Sequence, residues 1–319
     1  MGWRNSLHGR AVQYDKQHLY INGRMVGTDE LGLGQVIYVD SAIAGGDGSS
    51  PDTALATLNA AMDQCVAHRG DRVYILPGHS ETLSAADAVD LDIAGVEVIG
   101  LGRGTKMAKF VYDNAAGEFV IGAANVRIKN LWFVPSVTGI TLAIDVEAAG
   151  DGYEIVKCRF GDAETAGTDE FLICIKVTAG ADNGKIIGNY IDMGTAGAAT
   201  AVTLATSINT QMHGNVIKGD FSTANLAFIT TAPVAFDGFN NVMINGVVGG
   251  LNTEPCIEGL TGGEMNLMDN LFAGDLATLA LLVTNWDAGI NMGNRYTDDI
   301  GGATTAVDRS ASITVSADA

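Results

Sequence analysis

Carboxylates at near-regular intervals are the residues of this chain best suited to chemistry. Asp162, Asp192 and Asp220 come four, three and five residues after a recurring Asn or Cys position. On successive coils of a repeating structure they would form an acidic strip. Two carboxylates facing each other across a groove are what glycoside hydrolysis requires. A lyase would need clustered carboxylates around a cation, and a base to take the proton. Glu164, Asp275, Asp298 and Asp299 stand in similar places. Bases are scarce: Arg159, Lys176, Lys185, Lys218 and Arg295 are the candidates, and none sits in a recognisable motif. Solvated turn residues are the plainer reading of the strip.

A second carboxylate group is Asp40, Asp47 and Asp52, around the Gly45–Gly48 loop. Its oxygens suit calcium. The EF-hand spacing is absent, however, and Asp side chains capping a glycine-rich turn account for the pattern. His79, in a Pro-Gly-His turn, and His213, inside an apolar segment, read as structural. No GxGxxG, P-loop, HExxH or GxSxG motif occurs, so nucleotide, zinc-protease and serine-hydrolase readings have no support. The expectation is no catalytic, cofactor or metal residue, and no enzyme.

The element that must position these groups is a ladder of similar segments between about residues 126 and 297. Each runs apolar–x–apolar–x–Asn–x–apolar, or a worn form of it. The recurring position is read as Asn130, Cys158, Asn189, Asn215, Asn245, Asn270 and Asn294, with steps of 28, 31, 26, 30, 25 and 24 residues. A period in the twenties marks a solenoid. Short apolar strands such as 140–144, 171–177 and 201–204 fall between the rungs, without helical periodicity. Two or three strands per repeat and no helix predict an all-β, single-stranded right-handed parallel β-helix. A leucine-rich repeat would need a leucine scaffold that is missing. Equivalent Asn side chains on successive coils can share amide hydrogen bonds, with Cys158 breaking the polar row.

The open end of such a rod exposes strand edges and core. A segment at about 57–69 has helical spacing and precedes the first coil. It is the expected lid, with Leu58, Met62 and Val66 facing the core and Thr57 as N-cap. Residues 1–34 read as an extended N-terminal arm for attachment, with a hairpin around Asn22-Gly23. Entry strand and capping helix occupy 35–72, the β-helix 73–300, and a last strand and tail 301–319.

The 319 residues carry a formal charge of −19 and only 18 Lys and Arg. That balance argues against a nucleic acid partner, because phosphate binding rests on basic clusters. No 18-residue apolar run marks a membrane span, and the first residues lack the apolar core of a secretory signal. Cys65, Cys158, Cys174 and Cys256 form no CxxC pair and read as buried hydrophobes. Most aromatics fall at core-like positions such as Phe133, Phe160, Tyr190 and Phe272. Trp132 and Trp286 remain as exposed candidates for sugar stacking.

The opening carries a resemblance. Tyr38-Val39-Asp40, Gly46-Asp47-Gly48, Ala56-Thr57-Leu58-Asn59-Ala60-Ala61 and Pro77-Gly78-His79-Ser80-Glu81-Thr82 resemble the entry of pectate-lyase-like β-helix proteins. Versions with Pro-Gly-His-x-Glu-Thr look most like those carried by tailed bacteriophages. The resemblance covers roughly residues 36–300. It implies a virion structural component such as a decoration, head-fibre or tail-associated protein. It also implies a homotrimer, made in the host cytoplasm and attached to other virion proteins through residues 1–34. The alternative it leaves open is a tailspike-like protein that binds or degrades a host surface glycan.

Overall fold

The computed structural model describes residues 34–161, 169–194, 197–205, 208–246, 254–274, 283–284 and 289–297, and the backbone of four strands between residues 4 and 25. From Val36 onward the chain winds through three parallel sheets in turn. Sheet 1 has ten strands, from Val36–Val39 to Asn291–Met292. Sheet 2 has nine, from Ser80–Leu83 to Arg295–Thr297. Sheet 3 has eight, from Val89–Asp90 to Val283–Thr284. Apart from the entry pair Val36–Val39 and Arg72–Ile75, neighbours within each sheet are three strands apart in chain order, so each full coil lays one strand on every sheet. This is a parallel β-helix, roughly 40 Å long at one strand spacing per coil.

Alternation along each strand sends every second side chain inward. Register then stacks like on like. Sheet 1 contributes Val73, Val98, Ile128, Ile155, Ile186 and Met212. Sheet 2 contributes Phe110, Phe133, Phe160, Ile191, Ile217, Met243 and Phe272. Sheet 3 adds Phe119, Ile144, Ile175, Val202, Leu226 and Ile257. All belong to one continuous buried cluster. Phe133 lies between Phe110 and Phe160, with centroids 5.8 and 5.0 Å away and nearly parallel rings, and Phe119 meets it edge-on at 5.2 Å. All four cysteines are buried and unpaired. Burial pushes the Cys65, Cys158 and Cys256 thiols up to about 12, so they behave as apolar filling.

The lid is shorter than its sequence spacing suggests. The α-helix spans Leu58–Met62 and buries Leu58, Ala61 and Met62. Two tight turns follow, Gln64 N–H to Ala61 O and Cys65 N–H to Met62 O. Val66 is therefore not on the core face: it is 50% exposed. The cause is Asp71, whose carboxylate is fully buried. It accepts the Val66 and Gln35 N–H groups, each at 2.7 Å, and the Arg69 fork at 2.6 and 2.7 Å. These bonds draw the chain out of the helix before Val66. Asn59 covers the end of sheet 3: its side chain donates to Ala88 O (2.9 Å) and accepts from Asp90 N–H (3.0 Å). The terminal strand edge is thereby satisfied without another chain.

His79 and Glu81 lock the helix start. The buried His79 ring accepts the Ser41 N–H at Nδ1 (3.0 Å), so its Nε2–H donates to Glu81 (3.2 Å). The same Glu81 oxygen accepts the Leu58 N–H at 3.0 Å. A carboxylate there also suits the positive end of the helix. The Pro-Gly-His-Ser-Glu-Thr motif is thus a fastening between the first coil and its lid.

The segment read as an extended arm carries strands of its own. Arg4–Leu7, Arg10–Asp15, His18–Ile21 and Arg24–Met25 pair antiparallel in chain order. Tyr20 opposes Met25 and Ile21 opposes Arg24, which fits a hairpin about residues 22–23; those two residues and the tail 301–319 lie outside the described residues.

Two outcomes follow from this end of the rod. Met62→Asp should lower stability by about 2–5 kcal/mol, read as a fall in thermal midpoint or as aggregation, whereas Val66→Asp should leave the midpoint in place. Burial would raise the Asp71 carboxyl, but the Arg69 fork and the two N–H donors outweigh it, leaving Asp71 below the usual carboxylate range. Its stabilisation is full above the unfolded value of about 3.9 and is lost as pH falls through the lower folded value. Asp71→Asn should therefore lower the midpoint at pH 7 and lessen its fall below about pH 4; equal slopes in both proteins would contradict this.

Candidate functional site

The corner between sheets 1 and 2 is the most regular polar feature of the molecule. Each coil places two residues there. The first is left-handed in every described coil from the third onward: Asn130, Lys157, Gly188, Gly214, Asn240, Asp269 and Gly293, with φ between 52° and 70°. Gly, Asn and Asp tolerate this conformation, and other side chains resist it. The second residue is buried. In register it is Leu131, Cys158, Asn189, Asn215, Asn241, Asn270 and Asn294.

Five of these form an unbroken amide row. Asn215 shows the pattern: its Oδ1 accepts the Asn189 N–H (2.9 Å) and Nδ2 (3.1 Å), while its Nδ2 donates to Ile186 O (2.8 Å) and Asn241 Oδ1 (2.9 Å). Asn241 and Asn270 repeat it, and Asn294 ends it, donating to Leu267 O and Asn291 Oδ1. Cys158 does not interrupt the row; it stands before the first Asn and donates its N–H to Asn189 Oδ1 at 2.8 Å.

Two expected rungs are misplaced. Asn130 is one residue early, in the left-handed row, where its amide clamps Gly100 O (2.6 Å) and Gly102 O (2.8 Å). Asn245 lies four residues beyond the true rung, Asn241. It accepts the Phe221 N–H at 2.9 Å and donates to Pro255 O at 2.9 Å. The rung at Asn241 is disguised because Gly238 takes the inward position between Met212 and Leu267. A Cβ on Gly238 would meet Leu267 Cδ2 at 2.9 Å, so the apolar signal vanishes there.

Of the expected acidic strip, Asp192 and Asp220 fall among the described residues. Asp192 is in register with Lys218 and paired to it at 2.8 Å, and the Tyr190 hydroxyl also donates to Asp192 at 3.1 Å. Asp220 follows the end of that strand, and Asp162 lies outside the described residues. The same face of sheet 2 holds Trp132 between Lys109 Nζ (4.2 Å to the ring centroid) and Arg159 Cζ (4.3 Å). Trp132 is only 5% exposed, because the side chains registered on either side cover its faces. It offers no stacking platform, and Trp286 lies outside the described residues. Tyr190, expected inside, points outward beside Lys218.

Sheet 1 carries a charge-alternating row on its outer face. Glu97 pairs with Arg72 (3.1 Å) and Arg127 (3.0 Å), and Glu154 with Arg127 (3.1 Å) and Lys185 (2.9 Å). These are half-buried cross-strand pairs, each of modest value. Next to it, the His213 ring stacks flat on Phe239, with centroids 4.7 Å apart.

Sequence reasoning missed a carboxylate cleft on sheet 3. It encloses about 300 Å³ and is lined by Glu118, Asp145, Lys176, Thr141 and Leu142 among others. Lys176 Nζ is 2.8 Å from Asp145. Burial, then the Asp145 charge, raise the Glu118 carboxyl. A raised acid beside a cation-held carboxylate is a division that acid–base chemistry can use. The signal that could have found it is Asp145 and Lys176 at one outward position of two adjacent repeats; both sit in otherwise apolar strands.

The expected calcium residues are engaged locally. Asp47 accepts the Ser49 N–H (3.0 Å) and the Ser49 and Thr53 hydroxyls (both 2.7 Å), which hold its carboxyl down to about 2. Asp40 accepts the Ala42 N–H at 3.0 Å, and Asp52 is exposed in a single 3-10 turn. Among the described residues no group of three or more His, Cys, Asp or Glu side chains is placed to hold a metal ion. No helix among them is long and apolar enough to cross a membrane.

No family model and no curated protein matches this chain. Solved structures that align with it include two that can be compared directly. One is ORF18 of Geobacillus virus E2, at 12% identity and a TM-score of 0.36, over 91% of this chain and 67% of the other. The second is a rhamnogalacturonan lyase, at 14% identity and 0.34, over 76% and 69%. Likeness of this degree carries no argument about this chain, whose architecture rests on its own strand register.

The amide row gives a direct test. Asn215→Leu strands donors and acceptors on both neighbouring coils and should cost on the order of 3 kcal/mol, read from thermal or denaturant unfolding. Asn245→Leu should leave the row intact and loosen protection from hydrogen exchange at the Phe221 N–H, which loses its acceptor.

Proposed function

We propose that this chain is a structural component of a bacteriophage particle: a β-helical rod attached to other virion proteins through residues 1–34. The observation that carries the reading is the entry. His79 and Glu81, behind the resemblance to phage β-helix proteins, and Leu58 and Asn59, from the pectate-lyase-like entry, are the residues that fasten the lid to the first coils. Further support comes from the outer faces of sheets 1 and 2, where carboxylates such as Glu97, Glu154 and Asp192 are neutralised by cations. A homotrimer fits the part-exposed apolar rows, Ile187 and Phe239 on sheet 1 and Val216, Val242 and Leu271 on sheet 2; its mass in solution would be three times 33.1 kDa.

A second reading, glycan binding or cleavage at a host surface, draws on the Glu118–Asp145–Lys176 cleft. Under it, Glu118→Gln would abolish action on bacterial surface polysaccharide while the fold persists. Under the structural reading, Glu118→Gln changes no such activity.

Attachment is tested by deleting residues 1–34. The shortened chain should remain a soluble rod, with unchanged circular dichroism and thermal midpoint, and should fail to join particles. Normal incorporation would refute the attachment role.

A further inference from the structure

Cations are rare in this chain, and their pairing is uneven. Between residues 34 and 297 there are 13 Lys and Arg residues. Arg69, Arg72, Arg127, Lys176, Lys185 and Lys218 each meet a carboxylate. Of the other seven, six lie between Arg103 and Arg159, on coils that follow one another at one corner of the rod. Lys109 and Arg159 are spent on the faces of Trp132, and the Lys106 side chain passes near the Gly78 turn. Arg103, Lys129 and Lys157 line one cleft of about 550 Å³ at the corner between sheets 1 and 2. Among the described residues no carboxylate lines it, and the remaining walls include Ile99, Leu101 and Met107. Three positive charges converging without a counter-charge, in a chain of net charge −19, make a local field opposite in sign to that of the whole molecule.

The floor of the cleft is fixed in place. Asn130 clamps Gly100 O and Gly102 O. A Cβ on Gly100 would strike Asn130 O at 2.3 Å, and one on Gly102 would strike Lys106 O at 1.6 Å. Lys157 supplies a separate sign. It holds a φ of 52° at the corner position where the neighbouring coils use Gly or Asn. A long cationic side chain kept in a conformation that disfavours it points to a role for the side chain itself.

We propose that this corner cleft binds an oxyanion, the carboxylate, sulfate or phosphate group of a ligand, with Arg103, Lys129 and Lys157 as its counter-charges. The apolar part of the ligand rests on Ile99, Leu101 and Met107. Leu101 is 45% exposed, open to such contact. The inference is independent of the virion role. Its source is either a free inorganic anion or an acid group on a saccharide, and the two separate experimentally.

The test is titration calorimetry on the full chain at low and high sodium chloride. The probes are inorganic phosphate, a uronic-acid oligosaccharide and the matching neutral oligosaccharide. Saturable binding of phosphate alone assigns a free anion. Binding of the uronate, at least tenfold tighter than phosphate, assigns a saccharide acid. In either case affinity should fall with salt and should drop at least tenfold in a Lys129→Gln, Lys157→Gly double variant. Glycine suits the left-handed backbone at 157, so this variant keeps the fold. Lys185→Gln, on the paired row of sheet 1, should bind as the wild type does. No saturable binding of phosphate or uronate, equal binding of the neutral sugar, or undiminished binding by the double variant would overturn the proposal.

Discussion

Everything in this molecule depends on holding parallel strands in register, and the corner between sheets 1 and 2 is where that is enforced. A one-residue slip in a strand exchanges its inward and outward faces. Here it would send the Phe110–Phe133–Phe160 stack to solvent. Two adjacent residues prevent it. The left-handed residue turns the chain at a fixed place in each coil, and the buried amide that follows finds its four partners only when its neighbours are at the same height. Packing supplies most of the energy, but it is tolerant of exchange among Ile, Leu and Met. The amide row is not, because an unmet buried amide is costly.

The outer faces solve a different problem. An acidic chain with few cations would repel itself if like charges stacked coil on coil. Register instead sets Glu97 between Arg72 and Arg127, and Asp192 beside Lys218. The same arithmetic makes the unpaired cations conspicuous. Cations tied to carboxylates belong to the architecture, whereas Arg103, Lys129 and Lys157 are surplus to it. The sheet 3 cleft is the mirror case, lined by Glu118 and Asp145 with Lys176 paired to Asp145.

The repeat, the strand-only coils and the lid were legible because each rests on local periodicity or on turn chemistry. Phase was harder. Val242-Met243-Ile244-Asn245 imitates a rung, while the true rung at Asn241 follows a strand whose inward residue is Gly238. The missing signal is a dipeptide: Gly188-Asn189, Gly214-Asn215, Asn240-Asn241, Asp269-Asn270 and Gly293-Asn294 all place a left-handed former before Asn. Val66 escaped for another reason. Helical spacing continues past Met62, but the buried Asp71, five residues further along the chain than Val66, claims the backbone first. Sites made across coils are hidden in principle, since Glu118 and Asp145, or Arg103 and Lys157, are tens of residues apart.

The amide row also has a direction. Each Asn oxygen accepts from the coil before it, and each Asn amide donates to that coil's carbonyl and to the next Asn. Along the described coils the newest Asn always awaits the oxygen of the next, until Asn294, whose amide turns back to Asn291 Oδ1. A chain leaving the ribosome meets this demand in sequence: lid first, then coil upon coil, each completing the one beneath. Synthesis and assembly run the same way along the rod, so each coil waits only for the one made next.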